Sequence, residues 1–257
     1  MTLGFIGRQS LMPHNHLPVD AMLFFDYARR NLYSLLAVVV CCCLFGKVNA
    51  DQALLYDPEP PVDSAYLRII HTSAQGSVDV HIDGRLRMAN LHSATPSAYI
   101  ILSPGKHELT IRAAGKAQIL VTTPLTLESG QSMTIAYDTL RASVKPLIFN
   151  DKINANNLKA MLSVYNLDGK DGAFDILTAD RKMAVFSGID SGKSMALSVN
   201  PVSVELILTK TGNKVARAKI PISMMAGATY SILLLPGDGG KPLIYIGQNK
   251  TERYTAQ

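Results

Sequence analysis

The chain has no tryptophan, which removes the ring that sugar-binding modules most often offer as a stacking platform. It has few charges, 18% of residues, and these lie in no Lys/Arg block with interleaved aromatics. The formal net charge of +5 therefore leaves no nucleic-acid footprint. Cysteine is confined to Cys41, Cys42 and Cys43. No apolar segment shows a helical period for more than a turn or two, which excludes a coiled coil. What remains is 47% hydrophobic content across 257 residues, enough to exclude a disordered tail and to fill one large core or two small ones.

Arg29 and Arg30 precede an apolar run from Leu32 to Phe45, and Val48-Asn49-Ala50 follows it. A positive flank, about fourteen apolar residues and small residues at the −3 and −1 positions read as a signal peptide cleaved after Ala50. A membrane-spanning helix wants about 20 residues. Residues 1–21 form a polar leader with His14, His16 and Pro18, foreign to such a signal, so Met22 is the expected start. Cleavage removes every cysteine, four basic residues and two acidic ones, leaving a net charge of +3. An exported chain without cysteine must rely on apolar cores. Val40 stands before Cys41 where a lipid-attachment motif wants Gly, Ala or Ser, which argues against lipidation.

From Ser64 onward apolar residues alternate. Leu109 and Ile111 take one face, while Glu108, Thr110 and Arg112 take the other; Met133, Ile135 and Tyr137 repeat the pattern. Ser103-Pro104-Gly105, Ala114-Gly115 and Ser129-Gly130 punctuate these runs. The pattern then recurs about 96 residues later. Lys145-Pro146-Leu147-Ile148-Phe149 is answered by Lys241-Pro242-Leu243-Ile244-Tyr245, Val78-Asp79-Val80 by Phe174-Asp175-Ile176, Pro124 by Pro221 and Gly130 by Gly227. Landmarks kept in order indicate duplication. The expectation is an all-β protein of two tandem immunoglobulin/fibronectin-like antiparallel β-sandwich domains, each of seven or eight strands, after an N-terminal signal peptide. The layout is 1–50 leader and signal peptide, 51–63 extended Pro-rich segment, 64–150 first sandwich, 151–159 linker, 160–249 second sandwich and 250–257 tail. Within 51–63, Tyr56, Asp57, Pro58, Pro60 and Pro61 read either as an unstructured leader or as a partner-docking segment.

Catalytic patterns fail one by one. There is no Gly-x-Ser-x-Gly elbow, His-Glu-x-x-His, Cys-x-x-Cys or Gly-x-Gly-x-x-Gly. Gly188-Ile189-Asp190-Ser191-Gly192-Lys193-Ser194 is one residue short of a P-loop and has no helix after it, so it reads as a hairpin turn, as does Gly237-Asp238-Gly239-Gly240. Asp79, His81 and Asp83 share a strand face and read as a solvated polar row, with a weak divalent-metal site as the alternative. Tyr137, Tyr230 and Tyr245 lie in alternating runs and are expected in the core. No catalytic residue, cofactor or metal site is expected.

Asp51-Gln52-Ala53-Leu54-Leu55-Tyr56-Asp57-Pro58 behind a signal peptide, then Ser64-Ala65-Tyr66-Leu67-Arg68-Ile69-Ile70, Ser77-Val78-Asp79-Val80, Ser103-Pro104-Gly105 and the Lys-Pro-Leu-Ile-aromatic strand, resemble the alginate O-acetylation protein AlgF family of bacterial exopolysaccharide operons. The resemblance runs from about Asp51 to Gly247 and implies a periplasmic, non-enzymatic accessory component of polysaccharide O-acetylation. Its partners would be periplasmic and membrane-associated O-acetylation proteins, with alginate or a similar exopolysaccharide such as cellulose as a further candidate. On this reading the two units act as an adaptor whose effect is set by the short linker. A secreted carbohydrate-binding or adhesive module is the alternative. An acetyltransferase is the third reading.

Overall fold

The computed structural model describes residues 58–72, 76–138, 145–169, 172–237 and 241–254; the signal-peptide and start-site expectations lie outside them. Eight strands form a first sandwich: β1 (Ala65–His71), β2 (Ser77–Ile82), β3 (Arg85–His92), β4 (Ile100–Leu102), β5 (Gly105–Ala113), β6 (Ile119–Leu127), β7 (Ser132–Tyr137) and β8 (Leu147–Asn150). The same series follows as β9 (Ala160–Asn166), β10 (Phe174–Thr178), β11 (Ala184–Ile189), β12 (Ser194–Val199), β13 (Val202–Lys210), β14 (Ala216–Met224), β15 (Thr229–Leu235) and β16 (Leu243–Gln248). The sheet orders β4-β1-β7-β8 and β3-β2-β5-β6 are matched by β12-β9-β15-β16 and β11-β10-β13-β14. The all-β, two-sandwich expectation holds.

Duplication extends to register. Pro124 on β6 pairs with Glu108, and Pro221 on β14 pairs with Glu205; both prolines occupy edge strands, the place where a missing N–H costs no ladder bond. Gly130 and Gly227 sit at φ +71° and +78° just before β7 and β15, a conformation glycine adopts without steric cost. One detail departs from an antiparallel fold. β1 runs parallel to β7 and β9 runs parallel to β15. Strands of the opposite sheet intervene along the chain between each such pair, so a crossover, and no hairpin turn, sets their relative direction.

Burial separates two kinds of sheet. β2 alternates half-buried and buried residues, whereas β9 is buried at every position and β1 at all but Tyr66. Leu67 and Ile69 of β1 join the core of the first sandwich with Met133, Ile135 and Val80. Its other face contributes Ile70, which joins Ala136, Phe149, Tyr165, Leu167, Leu233 and Leu235 in a third cluster drawn from both sandwiches. The β4-β1-β7-β8 and β12-β9-β15-β16 sheets are thus inner sheets packed face to face. Residues 151–159 consequently do not act as a free spacer, because the interface itself fixes the separation of the two units.

Ile135 is fully buried and pairs with Ile148, which is 53% exposed on the edge strand β8. Ile135→Ala should cost about 2–5 kcal/mol in urea unfolding, with Ile148→Ala below about 1 kcal/mol. Equal losses would contradict the assignment of the core face.

Candidate functional site

The interface between the inner sheets holds a polar network that is unusual for its depth. Arg68 of β1 is 1% exposed. Its Nε donates to Thr134 Oγ1 at 3.0 Å, and Nη1 donates to Ser231 Oγ at 3.0 Å and to Asn249 Oδ1 at 2.8 Å. The guanidinium carbon lies 4.9 Å from the ring centre of Tyr99 and 5.2 Å from that of Tyr165. Those tyrosines donate their hydroxyls to opposite oxygens of Asp151, each at 2.7 Å, and Thr134 Oγ1 donates to the same carboxylate. Burial pushes both phenol pKa values up, with the Asp151 charge adding to the shift and Arg68 opposing it. The two hydroxyls are therefore held neutral at any ordinary pH.

The two halves contribute equivalent positions. Asp151 N donates to Ser132 O after β8, as Asn249 N donates to Thr229 O after β16. Thr134 corresponds to Ser231, and Arg68 to Ser163, by the shared β1–β7 and β9–β15 registers. The chain then continues from Asn249 as a strap over the first sandwich. Tyr99 N donates to Lys250 O and Glu252 N to Tyr99 O, while Glu252 accepts from Ile101 N and pairs with Arg87. The expected tail is thus a structural element as far as Tyr254.

Two larger clefts flank this network. One of about 590 Å³ lies between the sandwiches, with Tyr66, Tyr99, Asp151, Gln248 and Asn249 on its walls and Val62 and Ile153 among the residues lining it. The other, about 600 Å³, is lined by Pro61, Asp83, Arg85, Arg87, His107 and Tyr254 among others. It gathers serine, imidazole and carboxylate, the ingredients of a hydrolase. Their geometry is different: His107 Nδ1 lies 2.7 Å from Asp83 Oδ2, and Nε2 lies 2.8 Å from the backbone carbonyl of Ser103. Both nitrogens are engaged, so the imidazole directs no lone pair at a hydroxyl.

The sequence-selected residues fall as follows. Tyr56 and Asp57 lie outside the described residues; Pro58 and Pro61 are exposed, Pro60 is half-buried, and Pro61 alone of the three lines a cleft. Asp79, His81 and Asp83 do not converge. Asp79 accepts from the backbone N–H groups of Asn90 and Gly115, and Asp83 from that of Glu108. These bonds hold both carboxyl pKa values below the usual range, with His107 also lowering that of Asp83. Asp175, the repeat counterpart of Asp79, likewise accepts from Gly188 N and Thr211 Oγ1, so the repeated Asp is a loop fastener. Among the described residues no group of His, Cys, Asp or Glu could hold a metal ion. The P-loop-like stretch is not a hairpin, because it carries the chain from β11 in one sheet to β12 in the other. Gly237 does begin the connection of an antiparallel pair, β15 and β16. Tyr137 and Tyr230 are buried as expected and Tyr245 is half-buried. Sequence reasoning missed Arg68, Asp151, Tyr99, Tyr165 and Asn249; the available signal was an arginine inside the otherwise apolar run Leu67 to Ile70.

A family model described as Domain of unknown function (DUF4397) matches residues 65–177. No curated protein matches the chain. Among solved structures, it is similar to the C-terminal domain of AlgF from P. aeruginosa, with 27% identity and a TM-score of 0.31 over 36% of this chain and 99% of that one. The N-terminal domain of AlgF from P. aeruginosa gives 16% identity and 0.28 over 37% of this chain and 100% of that one. A CBM26 carbohydrate-binding module from Eubacterium rectale, solved with maltoheptaose, gives 10% identity and 0.25 over 71% and 96%.

Removing Asp151 leaves the Arg68 charge without its carboxylate. Asp151→Ala should destabilise the fold by about 3 kcal/mol in urea, and the double variant Arg68→Met/Asp151→Asn by clearly less than the sum of its single changes. Additive losses would dissolve the network. A second expectation concerns acid. A carboxyl whose folded pKa is depressed stabilises above its unfolded pKa and loses that contribution as pH falls through the folded value. Asp79→Asn should therefore be less stable than the parent at pH 7, with the gap closing below about pH 4; a gap independent of pH would refute the fastener role.

Proposed function

We propose that this chain is an exported, non-catalytic adaptor that assists O-acetylation of a secreted polysaccharide by holding other proteins of the acetylation machinery. The observation carrying this reading is the pairing of two copies of one sandwich into a single body. Their mutual interface uses its polar groups to lock the copies together and leaves the outer faces to partners. The Asp51–Pro58, Ser64–Ile70 and Ser77–Val80 stretches support the choice of acetylation over other exported tasks. The mechanism is positional. Partners bound to the two sandwiches would be held at a spacing set by the Arg68 interface, so their encounter would not depend on a tether. The signal-peptide pattern ahead of Asp51 supports a periplasmic location.

A second reading, a carbohydrate-binding or adhesive module, is favoured by the cleft between the sandwiches with Tyr66 and Tyr99 on its wall. Capture experiments separate the two. The purified protein immobilised on beads should retain periplasmic O-acetylation proteins from an extract and show no retention on alginate or cellulose columns. It should also leave p-nitrophenyl acetate unhydrolysed above the solvent rate. Retention by polymer alone selects the second reading, and turnover lost in a single Ser or His variant would overturn both.

A further inference from the structure

The duplicated body is not symmetric at its edges. β4 and β12 hold the same place, each the outermost strand beside β1 or β9. The free edge of β4 is covered by the chain's own strap: Tyr99 bridges Thr251 in parallel register, flanked by the bonds to Lys250 and Glu252. The segment that would cover β12 in the same way follows β8, at residues 151–154. That segment turns off instead, and Asn154 Nδ2 donates to the carbonyls of Lys159 and Ala228 as the chain enters β9. Among the described residues, β12 has β9 on one side and no strand on the other.

The side chain that fills the covered edge is missing from the open one. Carrying the β4–β1 and β12–β9 registers through the repeat places Ala196 where the first sandwich has Tyr99. A groove of about 270 Å³ opens at that position, floored by Ser163 and Tyr165 and walled by Asn150, Lys152 and Ser194. Register also orients the backbone. Asn166 N donates to Lys193 O, so alternate residues Lys193, Met195 and Leu197 bond toward β9, and Ser194, Ala196 and Ser198 present their N–H and C=O outward. Along this edge Met195 and Leu197 are each 41% exposed, and Leu147 of β8 lies against Gly192. Lys145, Lys152 and Lys193 are exposed around it, opposed by the exposed Asp190, while the Asp151 carboxylate is occupied by two tyrosine hydroxyls.

We propose that the open edge of β12 is a strand-addition site for an extended segment of a partner protein, one that places an aromatic ring in the Ala196 groove and acidic residues opposite Lys145, Lys152 and Lys193. The strap on β4 is the internal template for the main-chain bonding, and the lysines set the charge of the occupant. The proposal rests on the adaptor reading for the kind of partner and supplies one of the surfaces that reading needs. An open edge with apolar neighbours is otherwise an aggregation hazard that folds usually cover or charge.

The probe is a fluorescein-labelled synthetic octapeptide of alternating aliphatic and polar residues, with one central tyrosine and two glutamates. A control peptide carries lysines in place of the glutamates. Fluorescence polarisation with the purified protein should saturate for the first peptide and be at least about tenfold weaker for the second. Ala196→Tyr fills the groove as Tyr99 does in the other sandwich, and Ala196→Pro removes one outward N–H without taking a bond from β9. Each should weaken binding at least about tenfold, and amide exchange across Ser194–Val199 should slow in the parent protein when peptide is bound. If Ala196→Pro fails to fold, Ala196→Tyr and the exchange measurement decide. No saturation, equal binding of the two peptides, or binding unchanged in Ala196→Tyr would overturn the proposal, as would a dimer of the parent that dissociates in Ala196→Tyr, which would assign the edge to a second copy. Retention of O-acetylation proteins by Ala196→Tyr would remove this surface while leaving the adaptor reading intact.

Discussion

A single guanidinium organises the middle of this molecule. Arg68 lies between two sheets whose central strands β1 and β9 are buried almost throughout, where an unpaired charge would be prohibitive. It is tolerated because three side-chain acceptors, two aromatic faces and a nearby carboxylate surround it. Those groups come from β7, β9, β15, the residue before β4 and the residues that follow β8 and β16, so Nε and Nη1 meet their acceptors only when both sandwiches are docked, while Nη2 has no hydrogen-bond partner among the described residues. Apolar contact between Phe149 and Tyr165, with ring centres 5.3 Å apart in an edge-on arrangement, adds cohesion but little direction. The polar cluster supplies the direction, since hydrogen bonds to one planar fork admit few relative placements of the two sheets.

Duplication explains both how such an interface arises and why it is uneven. Two copies of one unit present the same sheet to each other, so each interface position occurs twice. Where the copies agree, as at Thr134 and Ser231, both hydroxyls serve one guanidinium. Where they differ, function can diverge. Ser163 at the counterpart of Arg68 avoids placing two like charges in the same buried space, which would cost far more than one. Asn249 at the counterpart of Asp151 leaves a single carboxylate for a single cation. Ala196 opposite Tyr99 in the repeat leaves one edge groove open and the other filled. The proposed adaptor role would require this kind of inequality, because two identical faces would recruit two copies of the same partner.

The fold was legible in the sequence to the extent that local pattern controls it. Alternation marked the strands, and the recurring Lys-Pro-Leu-Ile-aromatic and apolar-Asp-apolar stretches marked the repeat down to the edge-strand prolines Pro124 and Pro221. What alternation cannot report is what covers the second face of a sheet. β9 reads Ala160-Met161-Leu162-Ser163-Val164-Tyr165-Asn166, and its Ser and Asn suggest exposure, yet every one of these residues is buried by the opposing inner sheet. Asp151 was placed in the 151–159 linker, where nothing in the local pattern reports the two tyrosine hydroxyls that meet its carboxylate. Asp79 does lie on β2, but Asp83 falls in the turn after it at φ +52°, off the expected strand face; their partners are the backbone N–H groups of Asn90, Gly115 and Glu108, which carry no residue signature at all.

On the adaptor reading proposed above, the interface changes how a protein of this size must work. With a flexible joint, two bound partners would sample a volume fixed by linker length, and lengthening the joint by a few residues would cost little because closure entropy grows only with the logarithm of length. With the sandwiches locked, the partners have one relative placement, and a wrong spacing cannot be recovered by motion. Complementarity is then set in advance, which lowers the entropic cost of forming a ternary assembly but makes it intolerant of changes at the interface. Disturbing Arg68 would therefore act on assembly at a distance, through the angle between two outer surfaces that do not themselves contain the altered residue.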